Sequence, residues 1–300
     1  MWRRRGERGD AVNLLQYDFM VRALIGVTLT GLIAPAIGIY LVQRRLSLIG
    51  DGLGHVALTG VGVGLLFHQQ PVVTAVIAAA VGAVAIELVR ERGRTSGDVA
   101  LAILFYGGIS GGVALVSVSD SAGSANLVSY LFGSPLTAST QDLYVTAALA
   151  AAVLAVTLLL RPWLFAVCHD EEYARVSGIP VRALNLVLAI AAAVTVTAAM
   201  RTVGLLLVSA LMVIPVAAAQ RVSRGFTATM MTAMALGVLA SAGGLWTSWR
   251  LDSAPGATIV LVAIAGFVIV SMAVGLRGRI RRPSPSPVPA PAEPPEVVLR

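Results

Sequence analysis

The chain reads as an all-α integral membrane protein with about nine transmembrane helices, and three observations predict that class. Of its 300 residues, 57% are hydrophobic and 12% charged, whereas a soluble domain carries about a quarter charged residues. Mean hydropathy is +0.85. The apolar residues gather in runs of about 20, the length at which a helix crosses a hydrocarbon core, and they do not alternate as barrel strands would.

Taken in order, residues 1–19 form an N-terminal segment that opens with Arg3, Arg4, Arg5 and Arg8 and passes into an interfacial helix over 11–19. The apolar run behind it is too long for a signal-peptide core and lacks a clear cleavage site. The transmembrane domain covers 20–276. Its first span, 20–42, stops at Arg44–Arg45. A second, short helix carries Asp51 and His55 and continues to about Phe67. HQQP at 68–71 then makes a tight turn, with His68 as a polar loop residue. The third span, 72–89, ends in RERGR, where Glu87 is placed to pair with Arg90 at the interface. Ser96 and Asp98 can cap the fourth, 98–118.

The loop 119–140 contains SYLFGSPL, apolar but too short to span, which reads as a re-entrant or interfacial segment. The fifth span is 142–160. After it, 161–182 is the one sizeable polar loop between spans. The last four spans are 184–200, 204–220, 226–247 and 256–275. Pro215 is expected to kink its helix, which is tolerated where neighbours satisfy the freed carbonyl. Residues 277–300 are a basic, then Pro-rich tail of low complexity, extended and solvated. Nine spans are the reading, with eight or ten open.

Arginine sets the orientation. The loops after spans one, three, five, seven and nine hold fourteen arginines, and the opposite loops hold only Arg201 and Arg250. That asymmetry puts the loop 161–182 and the C-terminal tail in the cytoplasm. Arg3–Arg5 disagree, since an odd number of spans leaves the amino terminus outside.

The chain has no lysine and one cysteine, Cys168. A phosphate-binding loop GxxxxGK[ST] is therefore impossible. Driven transport would draw its energy from an ion gradient or from another subunit. A single cysteine excludes an internal disulfide, and no HExxH, GxSxG or Cys–His zinc cluster is present.

What remains is a pair. Asp51 and His55, four residues apart, fall on one helical face with Cβ atoms about 5–6 Å apart. A carboxylate and an imidazole so placed could share zinc, manganese or iron. Ionisable groups within a span are costly and usually functional. The plainer alternative is that Asp51 caps the helix and His55 hydrogen-bonds a backbone carbonyl.

The second feature is DEEYARVSGIPVR at 170–182: a short amphipathic helix stopped by Gly178, with Pro180 before the next span. Such a polar helix has little to pack against within its own chain. It is either a solvated connector or a docking element for a soluble subunit.

Six stretches together resemble the membrane permease of bacterial metal-type ABC importers, over about residues 14–276. They are RRLSLIGDGLGHVALTGVGVG (44–64), DVALAILF (98–105), YLFGSPLTASTQDL (130–143), DEEYARVSGIPV (170–181), VGLLLVSALMVIPVAAAQR (203–221) and APGATIVL (254–261). The resemblance implies that Gly50, Asp51 and His55 match the family's GDxxxH, in which Asp and His contact the metal. It also implies that Asp170, Glu171, Glu172, Tyr173, Ala174, Ser177, Gly178, Ile179 and Pro180 form the segment that couples to the ATPase. The implied assembly is a homodimer in the bacterial plasma membrane, with two ATPase subunits and an extracytoplasmic metal-binding protein. It has no permanently bound cofactor, no ATPase site of its own and no nucleic-acid partner, and its contacts are otherwise with membrane lipid. One departure stands out: some members carry a histidine soon after DVALAILF, where this chain reads YGGISGG (106–112). The wording is closest to zinc-type members, with manganese or iron as alternatives. The rival class is an ion-gradient-driven secondary carrier or channel, which would need further intramembrane carboxylates than this chain shows. A membrane-embedded enzyme would need a nucleophile.

Overall fold

The computed structural model describes residues 17–91, 97–118, 131, 133, 139–200 and 203–280, and every regular element among them is helical. In order these are α1 (Asp18–Gln43), α2 (Ile49–Leu66), α3 (Pro71–Glu91), α4 (Gly97–Val118) and α5 (Thr140–Leu159). Two short helices follow, α6 (Arg161–His169) and α7 (Glu171–Val176). The chain then continues through α8 (Val181–Met200), α9 (Leu205–Val222), α10 (Phe226–Leu251) and α11 (Pro255–Ile280). Among the described residues eight helices are long and apolar enough to cross a membrane, and the span expected at 204–220 is a shorter apolar helix, Leu207–Val222. The expected helix 11–19, the Ser96 and Asp98 side chains, most of the segment 119–140 and the tail beyond 280 lie outside the described residues.

The bundle has inner and outer members. Helix α1 packs against α5, α8, α9 and α10, and α2 is enclosed by α3, α4, α8 and α9. Helix α11 lies on the outside of α9 and α10 and turns most of its side chains outward, including Leu261, Ile269 and Met272. Between apolar helices in lipid there is little hydrophobic drive, so small residues that admit close approach carry the packing. Gly31 of α1 shows this. A Cβ there would stand 2.5 Å from the Gly237 carbonyl oxygen of α10. Helix α9 runs unbroken through Pro215, and α1 runs through Pro35.

The turns around α2 are stiff. Helix α1 ends in a Schellman motif, with the Leu46 N–H donating to Leu41 O at 2.8 Å and the Arg45 N–H to Val42 O at 3.1 Å. Arg45 takes the left-handed position at φ 59. The same arrangement closes α2, where Gln69 N–H donates to Gly64 O at 2.8 Å and His68 has φ 52. That is the tight turn expected at HQQP.

The loop 161–182 differs from its expectation. Its first half is the helix α6, with Pro162 in the first turn and Leu164 and Val167 buried three residues apart. Leu160 ends α5 and starts α6, so the chain redirects at one residue. The second half is the short helix foreseen, but it is not isolated. Ala174 is fully buried against the chain's own helices, and Glu171 is tied to Arg44 of the α1 C-terminus.

Candidate functional site

Asp51 and His55 lie one turn apart near the start of α2. The N-cap of α2 is Leu48, with no side-chain cap bond, so Asp51 in the first helical turn is not the cap. A carboxylate is well placed there, since the helix N-terminus carries partial positive charge. The His55 side chain is buried, and its Nδ1 has no hydrogen-bond partner among the described residues. A buried polar atom left unpaired is uncommon and calls for an explanation.

The surroundings follow from the glycines. Gly50 and Gly54 face α9 and α8: a Cβ on Gly50 would stand 3.0 Å from Ser209 Oγ, and one on Gly54 would stand 2.6 Å from Leu205 Cδ1 and 3.4 Å from Val196 Cγ1. Gly52 faces Leu101 of α4. One residue on from each of Gly50 and Gly54, and so about 100° further round the helix, the Asp51/His55 stripe points between the α9 side and the α4 side. The His55 ring meets the Phe105 ring of α4 edge-on, centroids 4.5 Å apart. Below it, Thr59 Oγ1 donates to Gly108 O at 2.8 Å.

The departure at 106–112 has a structural counterpart. Gly108 and Gly112 of α4 press against the backbones of His55 and Leu58. Gly108 and Gly112 thus serve the close crossing of α4 over α2, and α4 carries no histidine. No group of three or more His, Cys, Asp or Glu that could hold a metal is found among the described residues. Asp51 and His55 are two groups, fewer than the three or more that would make a metal-holding cluster.

Sequence reasoning missed Ser209. Its hydroxyl is buried beside Gly50 and lacks a partner among the described residues. A single serine in the apolar run VGLLLVSALMVIPV gave no signal, because only the packing of α9 on α2 brings it near the pair.

The second group of predicted residues surrounds α7. Asp170 is its N-cap and accepts from the Tyr173 N–H at 2.9 Å. Glu171 is held by Arg44 at 2.5 Å and by Arg175 at 3.2 Å. Glu172, Tyr173, Ser177, Gly178 and Pro180 are exposed, as is Val176, while Ile179 is half-buried. Gly178 ends the helix at φ 78, and the Ile179 N–H donates to Ala174 O at 3.0 Å. Only glycine adopts that backbone without penalty. Pro215 is remote from this group, within α9.

Beside α7 a cleft of about 480 Å³ opens, lined by Arg44, Glu87, Arg90, Glu91, Cys168 and Asn185 among others. Glu87 and Arg90 pair at 3.1 Å, as their spacing predicted, and Arg182 pairs with Glu91. Burial pushes the Cys168 thiol up to about 11, against the opposing pull of the Arg44 guanidinium.

Known proteins share this chain's sequence and shape. It is 32% identical to the manganese transport system membrane protein MntC of Halalkalibacterium halodurans, over 85% of this chain and 87% of that protein. It is also 32% identical to the chelated iron transport system membrane protein YfeD of Yersinia pestis, over 84% of each. The solved structure of PsaBC from Streptococcus pneumoniae in complex with Fab superposes with a TM-score of 0.78, at 27% identity, covering 86% of this chain and 92% of that one. The family model of the ABC 3 transport family matches residues 16–274, and the chain belongs to that family.

Proposed function

We propose that this chain is the membrane permease subunit of an ATP-driven divalent-metal importer, with Asp51 and His55 contacting the ion in transit. The observation that carries the reading is the buried, unpartnered His55 Nδ1 one turn from a carboxylate, within a helix apolar enough to span a membrane. An imidazole nitrogen kept free of hydrogen bonds is available to a metal. A pair without further ligands binds weakly, which suits an ion that must leave again.

The relatives named for manganese and chelated iron support a metal cargo. Zinc remains our first assignment from the wording of the sequence; Asp and His accept all three ions. The chain has no lysine for a phosphate loop, so a separate ATPase subunit supplies the energy, docking on the exposed face of α7. Two permeases would double the Asp/His pair about a shared pathway, fed by an extracytoplasmic binding protein. The arginine asymmetry places α7 and the tail in the cytoplasm. Pro215 would bend α9 on the side that faces α10 and α11.

The test is uptake of radioactive zinc, manganese and iron by cells lacking other importers and expressing the whole transporter. Asp51→Asn and His55→Ala should each reduce uptake of the true cargo to background, while the complex still assembles in the membrane. Normal uptake of all three ions by both variants would make the pair structural. The ion that wild type imports, and that the others fail to displace at equal concentration, identifies the cargo.

A further inference from the structure

We propose that Arg44 is the positioning residue that transmits movement of α7 to the helix carrying Asp51 and His55. This rests on the reading of α7 as the ATPase contact and of α2 as the ion-contacting helix.

The geometry singles out one guanidinium. Arg44 Nη2 lies 2.5 Å from Glu171 Oε2 in the first turn of α7, and Nη1 lies 2.5 Å from Asn185 Oδ1 in α8. Its side chain is only 8% exposed. Its backbone is the C-cap of α1, with the N–H bonded to Tyr40 O at 3.2 Å. The Schellman turn at Arg45 and Leu46 follows at once, and α2 begins at Ile49, two residues before Asp51. One side chain therefore joins the ends of α1 and α8 to α7, and its own backbone leads through a stiff turn to the candidate ion contact.

The other ion pairs nearby do not make this connection. Arg90–Glu87 lies within α3, and Arg175–Glu171 lies within the α7 segment. Arg182–Glu91 joins α8 to α3, but its arginine side chain is 83% exposed, where water screens the pair. Among the described residues, Arg44–Glu171 is the ion pair that leaves α7 for another helix, and it is shielded on the arginine side. The second Glu171 oxygen accepts from Arg175 on the same short helix at 3.2 Å, an exposed contact that moves with α7. A displacement of α7 thus pulls on Arg44 through the 2.5 Å contact, whose arginine side is shielded from water.

Arginine is the residue this link requires. Its planar fork presents separate N–H groups to two acceptors, whereas a lysine ammonium is a point charge on a flexible stem.

The experiment uses the complete transporter, with its ATPase subunit, in proteoliposomes. It measures co-purification of the ATPase, ATP hydrolysis, and ions imported per ATP. Arg44→Gln should co-purify and hydrolyse ATP as wild type does, while ions per ATP fall by about tenfold, within the range by which substitutions along a coupling element alter communication between sites. Arg44→Lys keeps the charge but lacks the planar fork that places a separate nitrogen on each acceptor, so its ratio should also fall. Glu171→Gln combined with Arg44→Gln should lower the ratio no further than Arg44→Gln alone, because both break one link. A purely structural role would reduce the amount of complex and leave the ratio untouched. If Arg44→Gln assembles with an unchanged ratio, the proposal is overturned; if it does not assemble, an unchanged ratio in Arg44→Lys overturns it. The underlying reading of α7 has its own readout: Tyr173→Ala with Val176→Ala should weaken ATPase co-purification, and failure there leaves the Arg44 ratio as a separate result.

Discussion

Gly108 of α4 lies so close to His55 of α2 that a methyl group on it would stand 2.6 Å from the His55 carbonyl carbon and 2.7 Å from the Val56 nitrogen. The two helices therefore cross backbone to backbone at the level of the candidate ion contact. Gly107, the preceding residue, has nothing within 4 Å of the same hypothetical methyl.

The contrast gives a paired test of the crossing. Gly108→Ala forces α4 away from α2 and should destabilise the protein by about 1–3 kcal/mol, the usual cost of overpacking. Ion uptake should fall with it. Gly107→Ala should be neutral or stabilising by up to about 1 kcal/mol, since alanine favours the helix. Thermal unfolding in detergent separates them, and equal melting of the two variants would contradict the close crossing.

At the end of α7 the strain is in the backbone alone. Gly178 has φ 78, and a Cβ there meets no atom within 4 Å. Gly178→Leu should therefore cost about 1–2 kcal/mol through the left-handed backbone, without a collision. It should lower ion uptake while membrane insertion stays normal, because the angle at which α7 leaves changes. Gly178→Asn, which tolerates this conformation, should keep most of the uptake. Equal transport by the Leu variant and wild type would show that the cap angle does not matter.

A buried hydrogen bond ties α1 to α5. The Tyr40 hydroxyl donates to the Thr157 carbonyl at 2.9 Å, and both residues are fully buried. Tyr40→Phe should lower stability by about 1–3 kcal/mol, the cost of leaving a buried carbonyl without its donor. Uptake per assembled complex should be unchanged. A melting temperature identical to wild type would argue against the bond.

Cys168 offers a pH test outside the spans. Its thiol is pushed up to about 11 by burial, and the thiolate is the reactive species. In the folded protein, maleimide labelling should be slow at neutral pH and accelerate only as pH climbs toward that value. In the unfolded chain, labelling should already be rapid near the ordinary thiol pKa of about 8.5. Equal rates for folded and unfolded protein at pH 8 would exclude the shift.

The apolar helices, the turn at HQQP, the stop at Gly178 and the pairing of Glu87 with Arg90 were legible in the sequence because each depends on local chain. Hydropathy is read against a fixed membrane thickness. Glycine and proline act through their own dihedrals, and residues three or four apart in a helix are neighbours by geometry. Asp51 and His55 belong with these, as a spacing on one helix. The family's motifs then supplied a role for them.

The tertiary structure decided what no local pattern carries. Arg44 and Glu171 are 127 positions apart, and only the folded bundle brings them to 2.5 Å. The same folding buries Ala174, which on sequence grounds belonged to an exposed helix, and brings Ser209 beside Gly50. Helix α6 escaped notice because its charged neighbours masked a short apolar face, Leu164 and Val167, that acquires meaning only against the helices it covers. The physical reason is common to all of these. Spans that are apolar all round do not record which face turns inward, so their partners are fixed by small residues such as Gly31 and Gly108, whose contacts exist only once the neighbouring helix is in place.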